Sequence, residues 1–243
     1  GGVRTPRVLS LLQYAEGFSC YMPRPDDPAS REIAWVRAEE ARQAAALRER
    51  IGENAYFDRV QLDVSTDRYI VIPQSLYEEP RNVQYLGAKN FTRRDNEVIL
   101  TSVSEEMVFV MLVNADLFHF LSARCRSLTV SHVLERCTAL GRLRCDPFRI
   151  GPMQGHIAVA LLGNLLHVSF RDAEQLQFID TFPVSGEGNI LYFLQRIVSQ
   201  FRLRDYFTLS VVTEDGRTRM ERVCGKLACA GWERILPERY YTL

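Results

Sequence analysis

One order of elements occurs in both halves of the sequence and constrains the fold more than any other feature. In the second half, HIAVALLGNLLHVSFRD predicts two strands around Gly163 and Asn164, and EQLQFIDTFPV predicts a third. The helix ILYFLQRIVSQF follows, with apolar positions 190, 194, 197 and 201 on one face. The remaining predicted elements are the strand YFTLSVV, a turn at Asp215 and Gly216, the short helix RMERVCGKLA and the last strand WERILP.

The first half shows nearly the same order through residue 113. VLSLLQYAEGFSCYMPRP predicts a β-hairpin hinged at Glu16 and Gly17, and EIAWVR extends it. AEEARQAAALRERIG predicts a helix that ends at Gly52, which lies in the C-cap position. Next we predict strands in FDRVQLDVSTDRYIVIP, a helix in SLYEEPRNVQYL capped by Ser75 and kinked or split at Pro80, and a strand in EVILTSVSEEMVFVMLV.

Two further helices are predicted before the second half begins. Asn114 can cap the helix NADLFHFLSAR, and LTVSHVLERCTALGRL predicts a helix that ends near Gly141. RLRCDPFRIGP, with two prolines and a glycine, is the best candidate for a linker. The sequence therefore predicts two domains, residues 1–145 with a helical extension and residues 146–243.

Composition indicates a folded globular protein and excludes some partners. At 47% apolar over 243 residues the chain can bury a sizeable core, and no run approaches the roughly 18 apolar residues of a membrane helix. We therefore expect no membrane span. Acidic and basic residues balance at 30 each, so no net charge draws the whole molecule to nucleic acid, and we expect no nucleic-acid partner. Without a basic-then-apolar leader, we expect a cytoplasmic location. The chain begins with Gly1 and Gly2, and we leave open whether the native N-terminus is complete.

Three segments resemble a known family. RYIVIPQSLYEE resembles the strand–proline–helix segment of the bacterial domain-of-unknown-function family 3822 (DUF3822), and GNLLHVSFRDAEQLQFIDTFPV with ILYFLQRIV resembles the hairpin and helix of its second half. The resemblance covers nearly the whole chain. It implies an α/β fold with mixed sheets, in which residues 1–145 and 146–243 are two tandem ribonuclease H-like halves in an actin-like ATPase arrangement. The family is similar in fold to pilus-assembly and cell-division relatives of actin.

In actin-like ATPases and sugar kinases, an Asp-X-Gly-type loop in the first hairpin of each half holds the phosphates and the metal. The corresponding turns here are residues 15–18 and 162–165, and neither contains that aspartate. Glu16 could substitute at the first turn, although a glutamate in a hairpin turn is more often solvated. The hairpins therefore argue against an ordinary phosphate site.

A ribonuclease H-type nuclease needs several carboxylates on neighbouring strands, gathered around two metal ions. The first strand of each half, VLSLLQY and HIAVALL, carries none. Asp63, Asp67 and Asp180 lie in or near strands, but they are scattered over both halves. We therefore do not expect nuclease activity.

The loop SGEGN, residues 185–189, joins a strand to a helix and could be a phosphate site. It offers only Gly186-x-Gly188, without the lysine of a Walker loop, and Leu191 occupies the third glycine position of a dinucleotide fingerprint. We favour a structural interpretation, in which the glycines permit the turn and Ser185 or Asn189 caps the helix. An anion site at the helix N-terminus is the alternative.

The histidines, cysteines and arginines show no catalytic spacing. No G-x-S-x-G or similar motif supplies a triad partner to the histidines, which are His119, His132, His156 and His167. No C-x-x-C pair indicates zinc among the cysteines, which are Cys20, Cys125, Cys137, Cys145, Cys224 and Cys229. Phosphate or an acidic surface could bind the arginines near the linker, although a solvated linker is favoured; they are Arg142, Arg144 and Arg149.

Our leading hypothesis is a non-catalytic or degenerate actin-like protein that acts as a binding or scaffold module. We assign no catalytic residue, no cofactor, no cofactor-binding residue and no metal ligand, and a protein partner of unknown identity fits this hypothesis. The alternative is an ATP-binding, actin-like ATPase or kinase-like protein with an unorthodox phosphate loop that uses Gly163, Gly186 and Gly188 at an interdomain cleft. The sequence leaves open the ligand, the partner, nucleotide binding and the oligomeric state.

Overall fold

The computed structural model describes residues 6–23, 31–104, 106–145, 155–172, 175–203, 207–214 and 218–235, together with residue 240. The chain divides into two compact units, Gly1–His132 and Val133–Leu243. The predicted domain boundary between residues 145 and 146 falls at the start of a stretch outside the described residues, and it stays a prediction. No helix in the described part of the chain is long and apolar enough to cross a membrane.

The first unit contains eight strands and three helices in its described residues. In chain order they are β1 (Val8–Tyr14), β2 (Gly17–Pro23), β3 (Arg31–Arg37), α1 (Gln43–Ile51), β4 (Arg59–Val64), β5 (Tyr69–Pro73), α2 (Asn82–Ala88), β6 (Glu97–Val103), β7 (Met107–Asn114), α3 (Ala115–Ser122) and β8 (Leu128–His132). Short 3-10 turns lie at Glu40–Arg42, Gln74–Leu76 and Glu79–Arg81.

The main sheet of this unit is mixed, with the strand order β3-β2-β1-β4-β8. β1 pairs antiparallel with β2 and parallel with β4, and β4 pairs parallel with β8. Parallel neighbours need a crossover, which α1 and α3 provide. Successive side chains alternate between the faces of β1, so Leu9 and Leu11 share one face with Val60 and Leu62 of β4. These four side chains are buried.

A three-stranded antiparallel sheet with the order β5-β7-β6 is inserted between β4 and α3. Every residue of β7 is buried, which explains why its sequence is apolar without alternation. One face of this sheet packs on α2 through Val108, Val110 and Leu86. On the other face Phe109 stacks on His132 at the end of β8, with 5.4 Å between ring centroids.

The insertion accounts for the errors in the predicted order of the first half. EVILTSVSEEMVFVMLV forms the two strands β6 and β7 rather than one, and LTVSH is the strand β8 rather than part of a helix. The helix predicted from Ser75 begins only at Asn82, because Pro80 lies in a separate 3-10 turn. The fifth strand of the main sheet is therefore β8. The helix and the strand that the sequence pattern assigned to this sheet belong to the insertion.

Two predicted helix ends have the expected geometry. Gly52 ends α1 with a φ of 91°, a conformation that favours glycine. Asn114 caps α3, where its side-chain oxygen accepts a hydrogen bond from the Leu117 N–H at 2.8 Å. These two predicted caps are confirmed, whereas Ser75 does not cap a helix.

The second unit contains three helices and five strands in its described residues. In chain order they are α4 (Val133–Arg144), β9 (Gly155–Leu162), β10 (Leu165–Arg171), β11 (Leu176–Pro183), α5 (Glu187–Gln200), β12 (Phe207–Thr213), α6 (Thr218–Cys224) and β13 (Gly231–Arg234). The predicted hairpin, third strand and helix are confirmed. The predicted turn at Asp215 and Gly216 lies outside the described residues.

The second sheet repeats the topology of the first, with the order β11-β10-β9-β12-β13. β9 pairs antiparallel with β10 and parallel with β12. One face carries the core, in which Ile190, Leu194 and Ile197 of α5 pack on alternate residues of the strands. The other face of β9 and β10 packs on α4, where Gly141 lies close to the Arg171 side chain. Each half is therefore a ribonuclease H-like unit.

Two buried histidines make the stability of the protein depend on pH. Burial lowers the pKa of His132 from 6.5 to about 4, and that of His156 to about 3. The full stability is present above pH 6.5, because the rings are then neutral in the folded and the unfolded protein. Below pH 6.5 only the unfolded chain binds protons, so stability falls until about pH 4 for His132 and about pH 3 for His156. A pKa shift of one unit corresponds to about 1.36 kcal/mol. We therefore expect the lowered pKa of His132 alone to reduce the unfolding free energy by about 3 kcal/mol at pH 4.

Urea unfolding between pH 6.5 and 4 measures this loss. His119 is exposed on α3, so the variant His119→Asn should retain the full pH dependence of the wild type. An unfolding free energy that stays constant over this range would contradict the assignment of neutral buried rings.

Candidate functional site

The hairpin tip of each half lies beside the carboxyl end of the parallel strand next to it. In the first half the Ser65 N–H, just after β4, donates to the Gln13 carbonyl of β1 at 2.8 Å. In the second half Thr213, at the end of β12, is in register with Leu161 of β9. Ligands of open α/β sheets bind outside the carboxyl ends of the strands. The two tips are therefore the candidate sites, and each is described within its own half.

A buried glutamine fills the inner side of the first tip. Gln43 is fully buried at the start of α1, and its amide nitrogen donates to the Tyr14 carbonyl at 2.7 Å. The same nitrogen lies 3.3 Å from the carbonyl oxygens of Gly17 and Ala38. The Gln13 amide in turn donates to Gln43 Oε1 at 3.1 Å. An uncharged donor thus occupies the place where these carbonyl oxygens converge.

The turn itself points away from this arrangement. Glu16 is exposed, and its backbone carbonyl accepts a hydrogen bond from the Ala38 N–H at 3.0 Å. Gly17 is required for packing, because a Cβ atom there would lie 2.2 Å from the Val36 carbonyl oxygen. Glu16, which the sequence analysis considered as a substitute for the missing aspartate, therefore lies on the solvent side of the hairpin.

A carboxylate occupies the second tip. The Gly163 N–H donates to Glu214 Oε1 at 3.1 Å, and Gly163 has a φ of 58°, which favours glycine. Glu214 immediately follows β12. Its second oxygen, Oε2, is buried without a hydrogen-bond partner. The backbone donor that could bind an anion at this tip is therefore already bonded to a negatively charged side chain.

The glycine loop before α5 lies against the second tip. Pro183 is in register with Leu165, and the Val184 N–H donates to the Asn164 carbonyl at 2.7 Å. The structure thus brings Gly163 and the loop that contains Gly186 to the same end of the second sheet.

The predicted side-chain cap of α5 is wrong. Gly186 is the N-cap residue, and no side chain caps the helix. Asn189 accepts a hydrogen bond from the Ser185 hydroxyl at 2.7 Å instead. The glycines are not required for the turn either, because Gly186 has an extended φ of −170° and a Cβ atom on Gly186 or Gly188 would meet no atom within 4 Å.

The first turn of α5 carries its own acidic residue. Glu187 accepts hydrogen bonds from the Arg222 guanidinium, at 2.8 Å from Nε and closer still from Nη2. These bonds hold the pKa of the Glu187 carboxyl below its ordinary value. A carboxylate in this position interacts favourably with the helix dipole and competes with any anion that approaches the loop.

The three aspartates considered for metal binding are divided between the halves, two in the first and one in the second. Asp63 is buried on β4, where Gln61 donates to it at 3.4 Å, and Asp67 is exposed in the loop after β4. Asp180 belongs to the second sheet and accepts a hydrogen bond from the Thr181 N–H at 2.8 Å. Among the described residues no group of three or more His, Cys, Asp or Glu side chains could hold a metal ion.

The histidines make structural contacts. The His132 Nε2–H donates to the Thr66 carbonyl at 2.9 Å, since a carbonyl can only accept. His156 and His167 each contact a threonine hydroxyl on a neighbouring strand, at 2.7 and 2.8 Å. His119 is exposed and packs edge-on against Phe118.

Two of the arginines near the predicted linker lie in α4. Arg144 forms an ion pair with Glu233 of β13 at 2.5 Å, and Glu233 also accepts a hydrogen bond from Ser210 at 2.9 Å. Arg142 lies in the last turn of α4, and Arg149 lies outside the described residues. Burial raises the pKa of the Cys137 thiol on the same helix to about 12, so this thiol is protonated at neutral pH.

Sequence reasoning missed the two residues that complete the tips. Gln43 lies among charged helix formers, and nothing in its sequence context distinguishes it from an exposed helix residue. Glu214 did carry a signal, because it directly follows an apolar strand that pairs in parallel, and side chains at such strand ends face ligand sites.

The topology and the comparisons agree on the class of protein. Two tandem ribonuclease H-like halves with the same strand order define the actin-like ATPase fold. A Bacteroides thetaiotaomicron protein with an actin-like ATPase fold and unknown function is similar, with 16% identity, a TM-score of 0.69, and coverage of 95% of this chain and 91% of that one. The PilM–PilN type IV pilus biogenesis complex contains a chain that is similar at 12% identity, with a TM-score of 0.61 and coverage of 96% and 89%.

The family model "Protein of unknown function (DUF3822)" matches residues 37–213. The chain therefore belongs to the DUF3822 family, as its resemblance to that family indicated. None of the curated proteins matches the sequence.

The two glycine turns should differ in their tolerance of a side chain. Gly17→Ala forces a methyl group onto the Val36 backbone, so we expect it to lower the unfolding free energy by about 2–3 kcal/mol. Gly186→Ala enters open space at an ordinary φ and serves as the matched control, with a change within about 0.5 kcal/mol. Urea unfolding of both variants measures the difference, and equal stabilities would contradict the described first hairpin.

Proposed function

We propose that this protein is a non-catalytic actin-like module that binds a protein partner. The observation that carries the proposal is that the protein's own side chains engage the polar backbone groups of both hairpin tips. Gln43 binds the carbonyl oxygens of the first tip, and Glu214 binds the Gly163 N–H of the second.

In the described part of the chain, the two hairpin tips lack the groups that nucleotide hydrolysis needs. A triphosphate needs free N–H donors and a metal ion held by carboxylates. At the second tip a phosphate would replace the Glu214 carboxylate at its donor or lie beside it, and like charges in a partly buried site repel strongly. At the first tip Glu16 faces solvent, so no acidic residue of the turn stands near the converging carbonyl oxygens.

A protein partner is favoured by the class of fold. The PilM–PilN structure is a complex of two proteins, and its similar chain spans nearly the same length as this one. We propose by analogy that this chain also works through a protein surface rather than through a reaction. The proposed setting is inside the cell.

Nucleotide binding with an unorthodox loop is the second candidate, and one observation favours it. No side chain caps α5, and the space around Gly186 and Gly188 is open, so backbone N–H groups at this helix end could approach a phosphate. Glu187 and Glu214 oppose this candidate, because both bring negative charge to the same end of the second sheet.

Thermal unfolding in the presence of Mg-ATP separates the two candidates. A nucleotide at a hundredfold its Kd stabilises a native protein by about 2.7 kcal/mol, which raises the Tm of a chain of this length by about 5–10 °C. We expect no rise with millimolar Mg-ATP or Mg-ADP, and no hydrolysis of ATP.

A rise in Tm would overturn the proposal, and two variants then locate the site. Gly188→Asp places a carboxylate at the start of α5 and should abolish nucleotide binding there. Gly87→Asp in α2 adds the same charge in open space and should leave such binding unchanged. Hydrolysis of ATP that is lost on changing Glu16 or Gly186 would likewise refute the non-catalytic assignment.

A further inference from the structure

A cluster of arginines lies at the end of the first sheet opposite its hairpin tip. Arg7 precedes β1, Arg48 lies in the last turn of α1, Arg124 follows α3, and Arg126 precedes β8. These four residues are called the basic end below. Tyr56, in the loop between α1 and β4, precedes Phe57 in the chain and is 53% exposed.

Aromatic rings hold three of these side chains in place. The guanidinium carbons of Arg48 and Arg124 lie 5.5 and 4.1 Å from the centroid of the Phe120 ring. That of Arg7 lies 5.3 Å from the centroid of the Phe57 ring. Such contacts fix the planar group, and at the exposed Arg7 and Arg48 they leave its edge available for hydrogen bonds. Arg124 is half-buried, and its Nη1 donates to the Phe120 carbonyl at 3.5 Å.

Backbone hydrogen bonds make the basic end continuous. The Phe57 N–H donates to the Arg124 carbonyl at 2.9 Å, and the Arg126 N–H donates to the Phe57 carbonyl at 3.0 Å. The Asp58 N–H donates to the Arg7 carbonyl at 2.8 Å. The four arginines therefore belong to one surface, which is built around Phe57 and Phe120.

The positive charge of this surface is only partly balanced. Among the described residues no carboxylate forms an ion pair with Arg7, Arg48, Arg124 or Arg126. The Asp58 carboxylate accepts a hydrogen bond from the Arg7 backbone N–H at 2.7 Å instead. The carboxyl ends of α1 and α3 offset part of the charge of Arg48 and Arg124 through their dipoles. Arg7 and Arg126 are exposed and lie at strand starts, where no helix dipole offsets them.

We infer that the basic end docks a carboxylate-rich segment of a partner protein. Guanidinium groups fixed over rings match the planar, bidentate geometry of carboxylates. Arginine and tyrosine are also among the residues that contribute most at the centres of protein interfaces, and the exposed Tyr56 is next to Phe57 in the chain. The inference rests on the proposed binding function and names the chemistry of its partner.

The test is the binding of a fluorescein-labelled oligoglutamate peptide, followed by anisotropy at low and high salt. We expect binding that weakens as salt increases, because these charges are exposed. The variant Arg48→Glu, Arg126→Glu should weaken binding at least about tenfold. The matched control Arg93→Glu, Arg94→Glu makes the same change at exposed arginines before β6 and should leave binding unchanged.

Two further probes test the class of partner. Vesicles that contain phosphatidylglycerol and a single-stranded oligonucleotide carry phosphate and no carboxylate. Binding of either one without binding of oligoglutamate would overturn the inference, as would equal losses in the two double variants or no binding at low salt.

Thermal unfolding of both variants checks that they fold. A Mg-ATP shift measured on the same samples reports on the proposed function separately, since nucleotide binding would refute that proposal and leave the peptide result intact.

Discussion

The central strand of each half pairs with a hairpin partner on one side and with a parallel strand on the other, and the rest of the architecture depends on this arrangement. The antiparallel side needs only a tight turn, whereas the parallel side needs a crossover helix. Together they place the turn of the hairpin beside the carboxyl end of the parallel strand. The position of β1 between β2 and β4, and of β9 between β10 and β12, therefore decides where a ligand site could form.

The two halves satisfy their hairpin tips by different means. In the first half a neutral amide from α1 binds the inward carbonyl oxygens, and in the second half a carboxylate from the end of β12 binds an N–H. Both solutions follow from the requirement that buried backbone groups find partners. A tip that binds phosphate would have to leave such groups free until the ligand arrives. These tips are completed by the chain itself, which is consistent with a protein that binds through its outer surfaces.

Local signals in the sequence predicted the elements whose stability is local. The hairpin at Gly163, the C-cap at Gly52 and the N-cap at Asn114 depend on backbone conformation or on contacts a few residues away. The pairing of β8 depends on contacts with β4, more than 60 residues earlier in the chain. Its sequence, LTVSH, alternates apolar and polar residues, but it is only five residues long and runs directly into α4, so the helix was predicted to include it. β7 of the insertion has the continuous apolar sequence expected of a strand in the main sheet, because it is buried on both faces.

The sequence by itself determined the element order of the second half, the fold class and the absence of the usual phosphate motifs, because periodicity, turn residues and motif spacing are properties of short segments. The tertiary structure decided that the most apolar strand belongs to an insertion, that α4 packs on the second sheet and that Gln43 and Glu214 complete the tips. It also brought Arg7, Arg48, Arg124 and Arg126 onto one surface. These are contacts between residues far apart in the chain, and a pattern within one segment carries no information about the partner that a side chain meets.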